Sequence, residues 1–219
     1  MNAPILVYDS REAWFPVGVE ESLEPFGYEW GEKQWGDRLD FPANMRQPDL
    51  PPVGYTRTAG PVVSGLVWQQ YWLWYLYNPW NVVGVGEHEG DWEMVQVAYT
   101  PKPAGRVFTG VDPILITGSQ HHTGTKREAW ACEHRDNRPV LYVALGSHAH
   151  YFTPGTHGTD RCDGKGRVLD TIEWRDMGPW HSWPGRWGNS RGEGQSPRSP
   201  GHQGTRWTAP HLFHSQSHG

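Results

Sequence analysis

The sequence predicts an all-β fold: a single-domain antiparallel β-sandwich, residues 1–219, with long ordered loops and few short helices. The chain contains 27 Gly and 19 Pro, which leave little room for long helices. Short runs of β-branched and aromatic residues alternate with turn residues, as in antiparallel sandwiches. The 14 Trp residues argue against disorder. A chain of this length buries about 70% of its unfolded surface, which is enough for one core.

The elements follow from local patterns along the chain. Residues 4–8 (PILVY) predict a short strand, and VGVEESL at 17–23 predicts a short helix or turn after a break at Pro16. Residues 27–61 contain several prolines and are expected to form a loop. Residues 62–78 are apolar on both faces, which is typical of a central strand. Further strands are expected at 91–99, 106–109, 113–119, 139–152 and 166–174.

From Gly178 onwards the sequence has no periodicity. Residues 178–212 are rich in Gly, Pro, Ser and Arg, but they include Trp180, Trp183, Trp187 and Trp207. Because indole rings are costly to expose to water, we expect an ordered coil that wraps the sandwich. Residues 213–219 are expected to fray.

Charge and cysteine usage exclude several classes of protein. A net charge of −5 offers no basic surface for nucleic acid. The N-terminal residues lack a basic n-region, and residues 62–77 are too short and too polar to cross a bilayer, so neither a signal peptide nor a transmembrane segment is expected. We therefore expect a cytoplasmic protein. There Cys132 and Cys162, which lack metal-type spacing, remain free thiols.

The segment GEHEGDWEMVQV, residues 86–97, concentrates the most chemistry. If residues 91–99 form a strand, Asp91 and Glu93 share a face at the rim of a core, with their Cα atoms about 7 Å apart. Two such carboxylates repel each other unless a proton, an arginine or a metal lies between them. With His88 nearby, a hard divalent cation resolves the repulsion. The alternative to a metal site is that Asp91 and Glu93 pair with arginines and only fix a loop.

Histidines at the ends of two other predicted strands add candidates, because sites on β-scaffolds tend to lie at strand ends. His121 and His122 follow ILITGS, and His148 and His150 follow VLYVALGS. If the second strand continues through His150, both of its imidazoles face one side. Histidines with carboxylates suit Zn, Mn or Fe, and mainly oxygen ligands suit Ca or Mg. The motifs of zinc proteases, nucleophile elbows and nucleotide-binding loops are absent from the sequence.

Several segments occur in an order that resembles known families. YDSREAWFPVGVEESL, the aromatic strand, HEGDWE, VLYVALGSHAHY and the late GRWG and SPRSPG segments together resemble the vacuolar-protein-sorting-associated 62 family, which has many bacterial members. HEGDWE is also similar, more distantly, to the GHRHDWE heptapeptide of necrosis- and ethylene-inducing-like proteins. Those proteins are β-sandwiches that bind a divalent cation and act on plant membrane sphingolipids.

The distant resemblance implies a set of ligands for that cation. His88, Asp91 and Glu93 match the heptapeptide, and His148 matches the later histidine that completes the site. The sequence departs from the pattern in two places: Arg-His of the heptapeptide is replaced by Glu89 and Gly90, and the acidic residue of the preceding loop is replaced by the neutral Asn78 and Asn81.

Two classes of function follow from these patterns. The first is a cytoplasmic enzyme that depends on a divalent metal ion, Ca or Mg before Zn or Mn, and acts as a hydrolase or lyase/cyclase on a small or lipid-like molecule in bacterial secondary metabolism. The cation would polarise a substrate oxygen or activate water, with Glu89, His150, His121 or His122 transferring protons. The alternative is a metal-stabilised module that binds a lipid or glycan, or contacts a membrane, without catalysis. Neither class involves nucleic acid, and the sequence does not determine the oligomeric state.

Overall fold

The computed structural model describes residues 3–28, 36–42, 45–59, 65–100, 113–121, 123–189, 197–203 and 214–215. These residues form an all-β fold with one short α-helix, α1 (Val19–Leu23), which confirms the predicted class. The strands in chain order are β1 (Ile5–Tyr8), β2 (Val53–Ala59), β3 (Val67–Asn78), β4 (His88–Tyr99), β5 (Leu115–Gln120), β6 (Thr123–Glu128), β7 (His134–Arg135), β8 (Arg138–Val143), β9 (His150–Tyr151), β10 (Gly155–His157), β11 (Asp160–Cys162), β12 (Val168–Leu169), β13 (Glu173–Asp176) and β14 (His214–Ser215).

A seven-stranded sheet has the order β13-β2-β3-β4-β5-β6-β14. Its two long strands, β3 and β4, pair antiparallel from Val67 opposite Tyr99 to Asn78 opposite His88. Successive side chains of a strand point to opposite faces of the sheet, and β3 is buried on both. The central position predicted from its apolar pattern is therefore correct.

A second sheet of five strands has the order β12-β1-β8-β7, with β9 also paired to β8, while β10 and β11 form a separate pair. Most neighbouring strands are antiparallel, as expected, but the sheets are mixed, because β1 pairs parallel with β8, β13 with β2 and β14 with β6. Each of these pairs joins segments far apart in the chain. A pattern of neighbouring residues carries no information about such pairings.

The two sheets pack face to face. Tyr71 and Leu73 of β3 and Val95 of β4 lie in one buried cluster with Leu6 of β1 and Leu141 of β8. The neighbouring residues of β1 and β8 point to the other face of the small sheet, where they form a third apolar cluster. This arrangement places one face of β4 between the two sheets.

The opposite face of the large sheet packs against α1 and irregular chain. The tryptophans of this layer are buried in a single cluster formed by Trp72, Trp74, Trp92, Trp180, Trp183 and Trp187. The last three belong to the segment expected to wrap the sandwich. Trp207 and the last residues of that segment lie outside the described ranges, as do residues 106–109.

Three predicted elements differ from the structure. The loop expected at 27–61 contains β2, whose outer half is polar and exposed. The strand expected at 166–174 is divided between β12 and β13, which belong to different sheets. The strand expected at 139–152 ends at Val143, because the chain turns at Gly146 and His148, whose φ angles are +74° and +53°.

Two further expectations concern the thiols and the membrane. Cys132 and Cys162 are free and buried, as predicted. Among the helices that the structure describes, none is long and apolar enough to cross a bilayer.

Candidate functional site

The candidate site lies between the sheets, where β4 begins. Asp91 and Glu93 share the face of β4 that looks toward the small sheet, while Trp92 and Met94 point into the tryptophan layer. Both carboxylates are buried, with exposed fractions of 5% and 2%. The shared face predicted from the sequence is therefore present. It is buried, and an unpaired charge in a buried place costs free energy.

His148 meets Asp91 from the turn after β8. Its backbone is left-handed, and its ring is buried between two carboxylates: Nδ1 lies 2.9 Å from Asp91 Oδ2, and Nε2 lies 3.7 Å from Glu12 Oε1. Burial alone lowers the pKa of His148, but the charges of Glu12 and Asp91 and the hydrogen bond to Asp91 outweigh it and raise the pKa to about 9. His148 is therefore an imidazolium at neutral pH.

Glu12 is the second anion of this network, and it is held in place by backbone. Its Oε1 accepts hydrogen bonds of 2.9 Å from the N–H groups of Ala13 and Trp14, and its Oε2 accepts one of 2.7 Å from Gly146. Burial raises the pKa of Glu12, but His148 and these bonds outweigh it and lower the pKa. Glu12, His148 and Asp91 thus form a charged chain that links the start of β4 to the segment after β1.

Glu93 has a different environment, although it lies next to Asp91 on the same face. Its Oε2 accepts a hydrogen bond from the Ser119 hydroxyl and lies 3.7 Å from His150 Nδ1. Burial, followed by the charge of Asp91, raises the pKa of Glu93 well above its usual value. Burial and the positive charge of His148 lower the pKa of His150 to about 3. His150 is therefore neutral, and among the described residues neither of its ring nitrogens has a hydrogen-bond partner.

A second histidine–carboxylate pair lies nearer the surface. His121 Nε2 lies 2.9 Å from Asp160 Oδ2, and the side chain of His121 is 34% exposed. Asp160 also accepts hydrogen bonds from Ser147 and Tyr151. Burial lowers the pKa of His121, but Asp160 outweighs this effect and raises it. The ring of His121 also contacts Trp80, with centroids 4.6 Å apart and planes inclined at 50°.

The loop that joins β3 to β4 covers this end of the sandwich. Asn78 ties the loop to the buried network, because its Nδ2 donates to Asp91 and its Oδ1 accepts from the Trp80 backbone N–H. At the tip, Val82 and Val85 exchange two backbone hydrogen bonds, of 3.0 and 3.2 Å. Between them Val83 has φ +57° and is 96% exposed. A β-branched residue at positive φ is a backbone outlier, as is typical of functional loops.

The other predicted site residues lie elsewhere. His88 is half-buried, and its Nδ1 lies 2.7 Å from the carbonyl oxygen of Gly90. Glu89 points toward the outer layer, which is the layer of α1 and irregular chain that packs on the large sheet. There its Oε2 accepts hydrogen bonds from the backbone N–H groups of Asn189 and Phe41. His122 lies outside the described residues. The structure thus brings together Asp91, Glu93, His148, His150 and His121, but it does not add Glu89 to that group.

The four predicted metal ligands are not arranged around one point. Asp91, Glu93 and His148 already have polar partners, and His88 is bonded to Gly90 instead. In the part of the chain that the structure describes, no three His, Cys, Asp or Glu side chains form a group that could hold a metal ion. The residues therefore do not fit the predicted cation in this arrangement. Cation binding here is therefore a prediction from the sequence alone.

Sequence reasoning missed three polar residues of the network: Glu12, Ser119 and Asp160. No local pattern marks these three residues as a group, and tertiary packing brings each of them to β4. A weak signal was available for Asp160, because it lies in the short polar run HGTDR between apolar strands. Nothing in the residues around Glu12 or Ser119 sets them apart.

Comparison with known proteins gives matches among solved structures alone. No protein-family model matches the chain, and no curated protein matches it, so the resemblance to the vacuolar-protein-sorting-associated 62 family has no support. The similar structures are necrosis- and ethylene-inducing proteins, the group that the HEGDWE motif resembles.

Three of these structures illustrate the degree of similarity. Non-toxic HaNLP3 has a TM-score of 0.46 and 17% identity over 84% of this chain and 73% of its own. Necrosis and ethylene inducing protein 2 from the causal agent of witches' broom disease of cocoa has a TM-score of 0.42 and 17% identity, with 79% and 70% covered. NLPPya in complex with glucosamine has a TM-score of 0.43 and 16% identity, with 69% of this chain covered and 64%, less than two thirds, of that one. Similarity this low carries no information on function.

Proposed function

We propose that the protein is a non-catalytic binding module for a small polar ligand of the carbohydrate type. The ligand contacts Trp80, which lies in the loop between β3 and β4, and His121, which follows β5. The observation that carries the proposal is the contact between these two partly exposed rings, which Asp160 and Asn78 connect to a buried network of histidines and carboxylates. An apolar ring beside a few fixed polar groups is the usual composition of a small-molecule site.

Binding is favoured over catalysis because the groups that could transfer a proton are either held by other side chains or, like His150, fully buried. His148 is fully buried between two carboxylates, and Asp160 holds one nitrogen of His121. The carboxylate of Glu89 accepts two backbone N–H groups, so it fastens the outer layer to β4. A general acid or base has to reach its substrate, whereas these groups hold each other.

The chemistry of the ligand follows from the charges. Three carboxylates of the network, Glu12, Asp91 and Asp160, face two histidines whose pKa values are raised, His148 and His121. Burial raises the pKa of Glu93 well above its usual value, which favours its neutral form. A ligand with hydroxyl groups and one ammonium group complements this balance, while its C–H face covers the ring of Trp80. An amino sugar has these features, and glucosamine is therefore the first probe.

The proposal is tested by isothermal titration calorimetry with glucosamine, glucose and N-acetylglucosamine. We expect glucosamine to bind most tightly, and Trp80→Ala and His121→Ala each to weaken binding by about tenfold, which corresponds to about 1.4 kcal/mol. Trp130→Ala is the matched control, because Trp130 is 77% exposed and is remote in the chain from the loop. Equal affinity in all variants, or no binding of any sugar at tens of millimolar, would contradict the proposal.

A further inference from the structure

Three segments of the outer layer lie side by side and bring three arginines together. Arg186 bridges to Arg38 in parallel and to Arg198 in antiparallel orientation. The backbone bonds that fix this register are Leu39 N to Arg186 O at 2.8 Å, Arg186 N to Asp37 O at 2.9 Å and Trp187 N to Pro197 O at 3.0 Å. Residues opposite each other in such bridges project to the same side.

The alternation of side chains fixes which side that is. Leu39, Trp187 and Ser199 follow the three arginines in sequence, and all three are buried, with the Trp187 indole N–H donating to the Ser199 hydroxyl at 2.9 Å. The preceding residues therefore project outward. We call this outward row the arginine ladder; it consists of Arg38, Arg186 and Arg198.

The guanidinium groups of the ladder repel each other. Burial, then the charge of Arg198 and then that of Arg38, lower the pKa of Arg186. Like charges directly opposite each other destabilise a sheet. Arg38 also donates from Nη1 to the neutral amide oxygen of Asn189 at 2.9 Å, while the amide nitrogen of Asn189 donates to Asp40. The side chain of Asn189 therefore bridges Arg38 and Asp40.

We propose that the arginine ladder binds the phosphate or sulfate group of a small molecule. The planar guanidinium group offers paired N–H donors that match the oxygen atoms of such anions. Neighbouring extended segments are about 5 Å apart, so two adjacent arginines can contact one tetrahedral anion. The ladder lies on the opposite side of the large sheet from the histidine–carboxylate network. This site is therefore independent of the proposed sugar site.

Calorimetric titration of the full chain with inorganic phosphate and inorganic sulfate tests the ladder. We expect both anions to bind, with an affinity that falls as salt is added. The double variant Arg38→Gln/Arg198→Gln should lower this affinity by about tenfold or more. Arg135→Gln is the matched control, because Arg135 is an exposed arginine of β7 paired with Glu133. No binding at tens of millimolar, or equal affinity in wild type and double variant, would overturn the proposal.

A charge-reversal variant distinguishes loss of anion binding from loss of folding. Arg198→Glu places a carboxylate opposite Arg186, so we expect a higher melting temperature together with loss of phosphate binding. Retained binding in this folded variant would contradict the proposal. Glucose 6-phosphate, compared with inorganic phosphate and glucose, identifies the source of the anion: tighter binding of the ester indicates a phosphorylated sugar, and equal binding indicates free phosphate.

Discussion

The ring of Tyr75 lies flat against the ring of His148, with centroids 3.8 Å apart and planes only 4° from parallel. Tyr75 belongs to β3, and its hydroxyl group hydrogen-bonds the Tyr8 hydroxyl of β1 at 2.8 Å. Both tyrosines are fully buried. The buried imidazolium is therefore held by carboxylates at its edges and by an aromatic face, and the same contacts join the two sheets.

The first prediction concerns this stacking. Tyr75→Leu removes the aromatic face and should lower the free energy of unfolding by about 2 kcal/mol more than Tyr75→Phe, which keeps the face. Tyr75→Phe should itself cost about 1 kcal/mol, because the Tyr8 hydroxyl loses its partner. Urea unfolding of both variants measures the difference. Equal losses in the two variants would show that the stacking contributes nothing.

The second prediction concerns pH. The pKa of His148 is raised from 6.5 in the unfolded chain to about 9 in the folded protein. A raised folded pKa contributes stability that is complete below the unfolded value and is lost as the pH rises through the folded value. The melting temperature should therefore fall between pH 6.5 and about 9.

A variant separates this effect from other titrations. Glu12→Gln removes one anion beside His148 and so lowers its pKa in the folded protein, and the alkaline loss should therefore be smaller and end at a lower pH. Glu128→Gln, an exposed carboxylate of β6, serves as the control and should follow the wild type. If all three proteins lose stability along the same curve, His148 is not the titrating group.

The third prediction concerns the metal. The sequence leads us to expect a divalent cation at Asp91 and Glu93, but in the structure His148 already supplies a positive charge to Asp91. We therefore expect that chelation with EDTA leaves the melting temperature unchanged and that elemental analysis of the purified protein finds no stoichiometric metal. A clear fall in melting temperature on chelation, abolished by Asp91→Asn, would establish the cation predicted from the motif.

The fourth prediction concerns the loop tip. Val83 has a left-handed backbone in the two-residue turn between Val82 and Val85, a position that favours Asn. Val83→Asn should raise the free energy of unfolding by about 1 kcal/mol, because the β-branched side chain no longer strains the turn. Val168→Asn, at an exposed position of β12, should give no such gain. Thermal unfolding of both variants measures the contrast.

The fifth prediction concerns the thiols. Cys132 and Cys162 are free, and burial raises the pKa of each to about 12. Thiol reagents react with the thiolate, so both groups should react slowly in the native protein and rapidly after denaturation. Titration with a chromogenic disulfide reagent measures both stages. Fast reaction of the native protein would show that the thiols are accessible.

Much of the large sheet could be predicted from the sequence. The apolar residues on both sides of β3 and the alternation after Asp91 are local patterns, and they fix both the strands and the shared face of Asp91 and Glu93. β2 was missed because Pro51 and Pro52 precede it and its outer half, including Arg57, is polar.

The candidate site was harder to predict, because most of its contacts join distant parts of the chain. His148 was expected on a continuing strand, yet it reaches Asp91 because the chain turns sharply into a left-handed conformation. Glu12 is 136 residues away from His148 in the chain, and no local pattern connects them. Glu89 follows the predicted ligand His88 in sequence, but its carboxylate accepts hydrogen bonds from the backbone N–H groups of Asn189 and Phe41.

The position of β1 has a consequence for synthesis of the chain. This strand lies between β8 and β12, so Leu6 pairs with Leu141 on one side and with Leu169 on the other. While the ribosome makes the protein, β1 therefore waits for partners that emerge more than a hundred residues later, and contacts over such separations form slowly. Until then the aromatic face of β3 has no small sheet to cover it. Apolar surface that is exposed during that interval favours aggregation, so we expect chaperones to raise the yield of folded protein.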